Sequence, residues 1–265
     1  MISPHQLRYL IQVPFVLPLL PILYWQGKQI QKKVPRLPEA QQPEGKVKGQ
    51  NKKTLRVLGL GESTMAGVGV TTHQEGFMGS FAQAITVHTG MGVHWKVVAK
   101  SGIKTAGVIQ RLLPKVKNDQ PDMILICLGG NNAFALHSPH QWENDCLKLI
   151  AALQNQFGVE TPIVFSNMPP IRFFPAFTPL IRQLIGRLVE SYSAQLERSV
   201  QKIPNVFFND EIVRFDTWRK RYQTDATLEE LFSDGVHPSP LTYQLWGQDM
   251  AAFVRATVLK VNQTV

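Results

Sequence analysis

Ser63 lies in the run Gly-Leu-Gly-Glu-Ser-Thr-Met-Ala-Gly (59–67), directly after an apolar stretch that includes Leu55, Val57 and Leu58. Near the other end of the chain, Asp234 and His237 stand three residues apart in the run Asp-Gly-Val-His-Pro. A serine hydroxyl is a weak nucleophile until a neighbouring base takes its proton. Histidine titrates near neutrality and suits that task, and an aspartate that accepts the other ring proton fixes the tautomer. In a loop or a first helical turn, a spacing of three lets Asp234 and His237 face the same way. The three residues thus offer the nucleophile, base and orienter of acyl transfer. Singly, each has a plainer use: Ser63 as a helix N-cap, Asp234 as a turn residue, His237 as a capping residue before Pro238. The rival histidines His73 and His137 have Val70 and Phe134 three places before them, not an acid.

Two more stretches follow the same placement. Lys100-Ser101-Gly102 comes after a second apolar run, and Gly129-Gly130-Asn131-Asn132 after a third. The elements that must position them alternate in period. Apolar runs at 55–60, 94–99, 122–128, 162–167 and 205–208 read as strands. Helical spacing predicts helices at about 76–90, 104–117, 140–157, 180–202 and 239–260, the last with Trp246, Met250, Phe253 and Val254 on one side. Strands alternating with helices imply an α/β protein, a three-layer α/β/α sandwich on a five-stranded parallel sheet of flavodoxin-like order 2-1-3-4-5. The run from Met123 to Leu128 is apolar throughout, as a central strand covered on both faces should be. Sites in such sheets lie at the carboxyl ends of the strands. Ser63, Gly102 and Asn131 each fall within a few residues of one.

With these four stretches in this order, the chain resembles the SGNH (GDSL-type) hydrolase family of lipases and acylhydrolases. The resemblance runs from about Arg56 to Gly247, and the stretch that begins Asn167-Met-Pro-Pro-Ile-Arg-Phe-Phe is similar to bacterial members. It implies the same fold and a serine esterase without cofactor or metal, with Ser63, His237 and Asp234 as the catalytic set. It also implies an oxyanion hole made of the backbone N–H groups of Ser63 and Gly102 and the side-chain N–H of Asn131. The substrates implied are lipid acyl or short-chain esters, with sugar O-acetyl esters or thioesters as alternatives. The chain departs from the family pattern twice: Glu62 stands where an aspartate is usual, and Asn132 where another aspartate is usual. Residues 168–177, Pro-stiffened and apolar, read as an acyl-pocket wall with Pro169, Pro170, Phe173 and Phe174 facing it, or else as loop residues packed on the core.

The bulk properties exclude other classes. The formal net charge is +9, but residues 1–53 hold nine Lys/Arg against two Glu while residues 54–265 hold nineteen against seventeen acids. The part that folds is therefore near neutral, with no basic helix, and a nucleic-acid partner is not expected. Cys127 and Cys146 read as two small buried apolar residues rather than a disulfide pair. Gly59-Leu-Gly61-Glu-Ser-Thr64 lacks the third glycine of a dinucleotide fingerprint, and no cluster has metal-ligand spacing. The remaining rival is a membrane-tethered binding module that kept the fold without catalysis.

Residues 9–25 carry no charge and three prolines, Pro14, Pro18 and Pro21, which should kink a helix. The chain is expected to divide into an apolar membrane anchor at 1–27, a basic extended linker at 28–53 and a catalytic domain at 54–265. Lys28, Lys32, Lys33 and Arg36 outnumber Arg8 across the apolar stretch, which places the domain on the cytoplasmic face. The oligomeric state stays open.

Overall fold

A computed structural model describes residues 3–261; residues 1–2 of the expected anchor and 262–265 of the expected domain lie outside the described residues. The sheet has six strands: β1 (Glu44–Val47), β2 (Thr54–Gly61), β3 (Gly92–Ala99), β4 (Met123–Cys127), β5 (Ile163–Phe165) and β6 (Val206–Phe208). Their order is β1-β3-β2-β4-β5-β6. Strands β2 to β6 are mutually parallel, in the order read from the sequence. All five residues of β4 are buried, as an interior strand covered on both faces requires.

The sixth strand is a correction to the five expected. β1 pairs antiparallel on the free edge of β3. Residues 28–53, expected as an extended linker, therefore contribute to the sheet. Two things hide β1 in the sequence: it is short, and it is only half-buried. Gly45 lets it lie flat on a tryptophan, since a Cβ there would come within 2.2 Å of the Trp95 ring. The chain before it is also bonded to the domain: Ala40 N–H to Ala66 O at 2.9 Å, Gln41 N–H to Thr71 O at 2.9 Å and His73 N–H to Gln41 O at 2.9 Å.

Nine α-helices are found among the described residues. The two at the N-terminus are α1 (Pro4–Val16) and α2 (Leu20–Lys33); along the domain follow α3 (Phe77–Thr89), α4 (Thr105–Arg111), α5 (Gly130–Phe134), α6 (Pro139–Phe157), α7 (Pro179–Val200), α8 (Phe215–Tyr222) and α9 (Pro240–Val261). Helices α3 and α9 pack together on one face of the sheet, and α4, α6 and α7 form the other layer. A Cβ on Gly247 would sit 2.6 Å from Phe81 N, so glycine is what lets the backbones of α9 and α3 touch. Ser138 and Thr178 cap α6 and α7 by accepting the N–H of Gln141 and Ile181, each ahead of a proline at the first helical position. Trp142 of α6 stacks on Tyr192 of α7 at 4.6 Å between ring centroids, which locks that layer.

The three N-terminal prolines interrupt the helix at one place, a 3-10 turn at Leu17–Leu19 between α1 and α2. Pro4–Lys33 is long and apolar enough to cross a membrane by length and composition, and none of its residues is fully buried. Helix α1 lies against α6 and α7. Tyr9 donates to Leu136 O at 3.2 Å, His140 N–H donates to Gln6 Oε1 at 3.1 Å and Thr178 Oγ1 donates to Gln26 Oε1 at 2.6 Å.

Candidate active site

Ser63 stands two residues beyond β2, in a turn closed by Ala66 N–H to Glu62 O at 2.9 Å and Val68 N–H to Ser63 O at 3.1 Å. Among the described residues neither its hydroxyl nor its N–H has a protein partner. The loop after β3 is tied to the same strand end, with Lys100 N–H donating to Gly61 O at 3.1 Å. Gly102 in that loop has φ 78°, and a Cβ there would meet nothing within 4 Å. Its glycine answers to backbone conformation rather than to space. Its N–H also has no acceptor among the described residues.

The third loop leaves β4 through Gly129, whose φ of 127° again demands glycine. Glu62 then fastens the loop. Its Oε1 accepts the Gly130 N–H at 2.9 Å and its Oε2 the Asn131 N–H at 3.0 Å. Asn131 Nδ2 donates one proton to Ile103 O at 3.1 Å, and its second N–H makes no further hydrogen bond of ordinary length among the described residues. Asn132 is fully buried. Its Oδ1 accepts from Thr105 N and Oγ1 at 3.0 and 2.9 Å, and its Nδ2 lies 3.2 Å from His137 Nδ1. The two departures from the family pattern are thus structural ties: Glu62 joins the Ser63 turn to the third loop, and Asn132 joins that loop to the start of α4.

Burial pushes the Glu62 carboxyl up to about 7, against the N–H donors of Asn131 and Gly130 that favour its charge. The folded protein thus holds the proton where the unfolded chain, near the ordinary glutamate value of 4.5, has released it. The stability tied to that proton is present below about 4.5 and is lost as pH rises to about 7. By linkage the loss is on the order of 3 kcal/mol. Chemical denaturation of wild type and Glu62→Gln across that range should show wild type losing this much relative to the variant. Parallel stability curves would refute the assignment.

Asp234 and His237 precede α9. The Asp234 side chain is wholly buried. Its Oδ1 accepts the N–H groups of Val236 at 2.9 Å and His237 at 2.7 Å, and its Oδ2 lies 2.7 Å from His237 Nδ1. Burial alone would raise its pKa, but the hydrogen bonds from the His237 ring and backbone outweigh it and hold the carboxyl below its ordinary value. An ionised Oδ2 requires a proton on Nδ1, which leaves Nε2 as the free acceptor. Ser233 Oγ donates to Gly69 O at 3.0 Å, and Tyr243 donates to Val68 O at 2.8 Å, so the His237 loop is tied to the turn that carries Ser63.

Ser63, Gly102 and His237 from three loops, and Asn131 from the start of α5, line one cavity of about 1360 Å³. Asp234 stands behind His237 and does not face it. Ser63 and His237 share the cavity without a hydrogen bond between them. Of the expected wall residues, Pro169, Pro170 and Phe174 face it and Phe173 does not. The Phe173 ring packs edge-on against Phe215 at 5.8 Å and borders a second, small hollow. The short 3-10 turn Ile171–Phe173 turns adjacent side chains to different sides. Further walls come from Phe177, Ile181, Phe215, Trp218 and Phe232, and from α2. Of these only Phe177 falls in the stretch, 168–177, that the sequence offers as a pocket wall, and nothing local distinguishes a core face from a cavity wall.

The rival histidines lie elsewhere. Burial drives His73 down to about 4, and its Nδ1 has no partner among the described residues. His137 sits against Asn132, with Asp145 3.9 Å away. Cys127 and Cys146 are free and buried, and burial pushes the Cys127 thiol up to about 12. Among the described residues no group of three or more His, Cys, Asp or Glu could hold a metal ion.

Residues 60–245 match the model of the GDSL-like lipase/acylhydrolase family. Among solved structures the chain is similar to a predicted GDSL-like lipase from Parabacteroides merdae ATCC 43184. The two share 18% identity over 80% of this chain and 99% of the other, with a TM-score of 0.59. It is also similar to TesA, at 16% identity over 76% and 98%, TM-score 0.56. A third is a mutant of Axe2, an acetyl-xylooligosaccharide esterase from Geobacillus stearothermophilus, at 14% identity over 78% and 95%, TM-score 0.56. At these identities the likeness is one of fold. No curated protein matches the chain.

Proposed function

This chain belongs to the GDSL-like lipase/acylhydrolase family and is an ester-hydrolysing enzyme; we propose that it works through an acyl-Ser63 intermediate, with an acyl lipid or another ester of a large apolar acid as substrate. The observation that carries the reading is the single cavity onto which Ser63, Gly102, Asn131 and His237 open, with Asp234 held against His237 Nδ1.

The steps follow from those positions. His237 Nε2 takes the Ser63 Oγ proton as Oγ attacks the ester carbonyl carbon. The negative oxygen that develops is met by the N–H groups of Ser63 and Gly102 and by the second Nδ2 proton of Asn131. The carbon–oxygen bond to the alcohol breaks, and His237 returns its proton to that alcohol. Water then attacks the acyl carbon, giving a proton to His237, which passes it back to Ser63 Oγ as the acid leaves. A thioester would follow the same steps with a thiol leaving. The apolar walls at Phe174, Phe177, Ile181, Phe215 and Trp218 favour a hydrocarbon acyl group over an acetylated sugar, whose hydroxyls would meet few partners there. A fluorophosphonate probe should label wild type at Ser63 and leave Ser63→Ala unlabelled. Absence of labelling in active wild type would overturn the acyl-serine mechanism.

Residues 9–25 serve as the membrane anchor in the same reading. With α1 and α2 lying along the domain, the segment rests in the interface of one leaflet without crossing it, which leaves the domain on the cytoplasmic side, with Lys28, Lys32, Lys33 and Arg36 at the anionic leaflet surface. Alkaline phosphatase fused after Val265 should then be inactive and a fluorescent protein bright. High phosphatase activity would reverse the orientation.

A further inference from the structure

Helix α2 lies outside the residues that match the family, yet it borders the cavity that holds Ser63. Leu20, Leu23, Gly27 and Ile30 of α2 line it at spacings of three or four, with Tyr24, Lys28 and Gln31 flanking them on the same side of the helix. The chain beyond α2 closes the same side. Glu39 accepts the Ser101 N–H at 2.8 Å and pairs with Lys100 at 3.0 Å, so the segment is pinned one residue from Gly102. Thr178, the N-cap of α7, holds the middle of α2 through Gln26. The α2 wall is therefore fastened at its middle to α7 and beyond its end to the loop that bears Gly102.

Gly27 is the informative position on that wall. A Cβ built on it meets nothing within 4 Å, although its neighbours Leu23 and Ile30 pack against the core. No turn, close approach or positive φ requires glycine there, and glycine weakens a helix interior relative to alanine. What it leaves is room. The outward side of the same helices carries Phe15 and Trp25 at 74 and 61% exposure, and Tyr24, Phe134 and Leu136 at the cavity's edge are also exposed. The cavity is bordered by an apolar surface followed by a lysine cluster, the composition that seats a helix in a membrane interface.

We propose that α2 is one wall of the acyl-binding cavity, and that Gly27 keeps it open to the long acyl chain of an ester drawn from a membrane. This rests on the ester-hydrolase reading of the same site. Specificity for chain length then resides in a segment that precedes the family domain. A larger side chain at residue 27 would occupy the path of a long chain while an acetyl group stays near Ser63.

The test uses the full-length protein and compares kcat/KM for p-nitrophenyl palmitate and p-nitrophenyl acetate, presented in the same detergent micelles. The palmitate-to-acetate ratio should fall at least about tenfold in Gly27→Phe. It should fall by a smaller factor in Gly27→Leu, whose strong helix propensity guards against loss of fold. Equal losses on both esters, or an unchanged ratio, would overturn the α2 wall. Wild type that hydrolyses acetate but never palmitate would also overturn it, while leaving the ester-hydrolase reading intact. Wild type that hydrolyses neither would remove that underlying reading and the wall with it.

Discussion

Ser63→Ala should lower kcat by a factor on the order of ten-to-the-fourth to ten-to-the-sixth and leave the melting temperature unchanged. The large effect follows from chemistry, because the Ser63 oxygen is the one that bonds the acyl carbon in the proposed mechanism. The unchanged stability follows from geometry, because the Ser63 hydroxyl makes no hydrogen bond among the described residues and its removal leaves no buried partner unsatisfied. Asn131→Ala belongs to the same series with a smaller loss, roughly ten-squared to ten-cubed in kcat with KM little changed, since one of three oxyanion donors is removed. Turnover of p-nitrophenyl esters with parallel thermal melts measures both. Substantial activity in Ser63→Ala would end the acyl-serine mechanism. A loss confined to KM in Asn131→Ala would make that residue a substrate contact instead.

Asp234→Asn should cost about ten-to-the-fourth in kcat without unfolding the loop. Oδ1 of Asp234 already accepts two backbone N–H groups, from Val236 and His237. An asparagine must keep its carbonyl oxygen there and turn its NH2 group toward His237 Nδ1. Nδ1 can then only accept, so the ring proton moves to Nε2, the atom that must receive the Ser63 proton. The loss therefore comes from the wrong tautomer in an intact site. The check is turnover together with the imidazole nitrogen chemical shifts of His237. Near-normal turnover, or a shift pattern that leaves the proton on Nδ1, would show that Asp234 does not set the tautomer.

The alternation of strands and helices from residue 54 onward was legible in the sequence, as were Ser63, Gly102, Asn131, Asp234 and His237 as candidates. Both signals are local. Buried strands and amphipathic helices repeat with their own periods, and turn glycines and the Asp-x-x-His spacing sit within a few residues of each other. Short or polar elements escaped for the same reason: β1 carries only four residues, and α8, Phe-Asp-Thr-Trp-Arg-Lys-Arg-Tyr, has too few apolar positions to declare a helix.

What only the tertiary structure decided are contacts between residues far apart in the chain. Glu62 reaches Gly130 and Asn131 because β2 and β4 are neighbours in the sheet, and its extra methylene spans the gap between their ends. Asn132 is committed to Thr105 because α4 begins beside the third loop. Phe173 turns away from the cavity while Phe177 turns in, which depends on how one 3-10 turn packs against α7 and α8. An apolar helix reads the same in sequence whether it meets lipid, core or a cleft. Its direction after Leu17–Leu19 and the ties at Gln26 and Glu39 are what lay α2 along the cavity that holds Ser63.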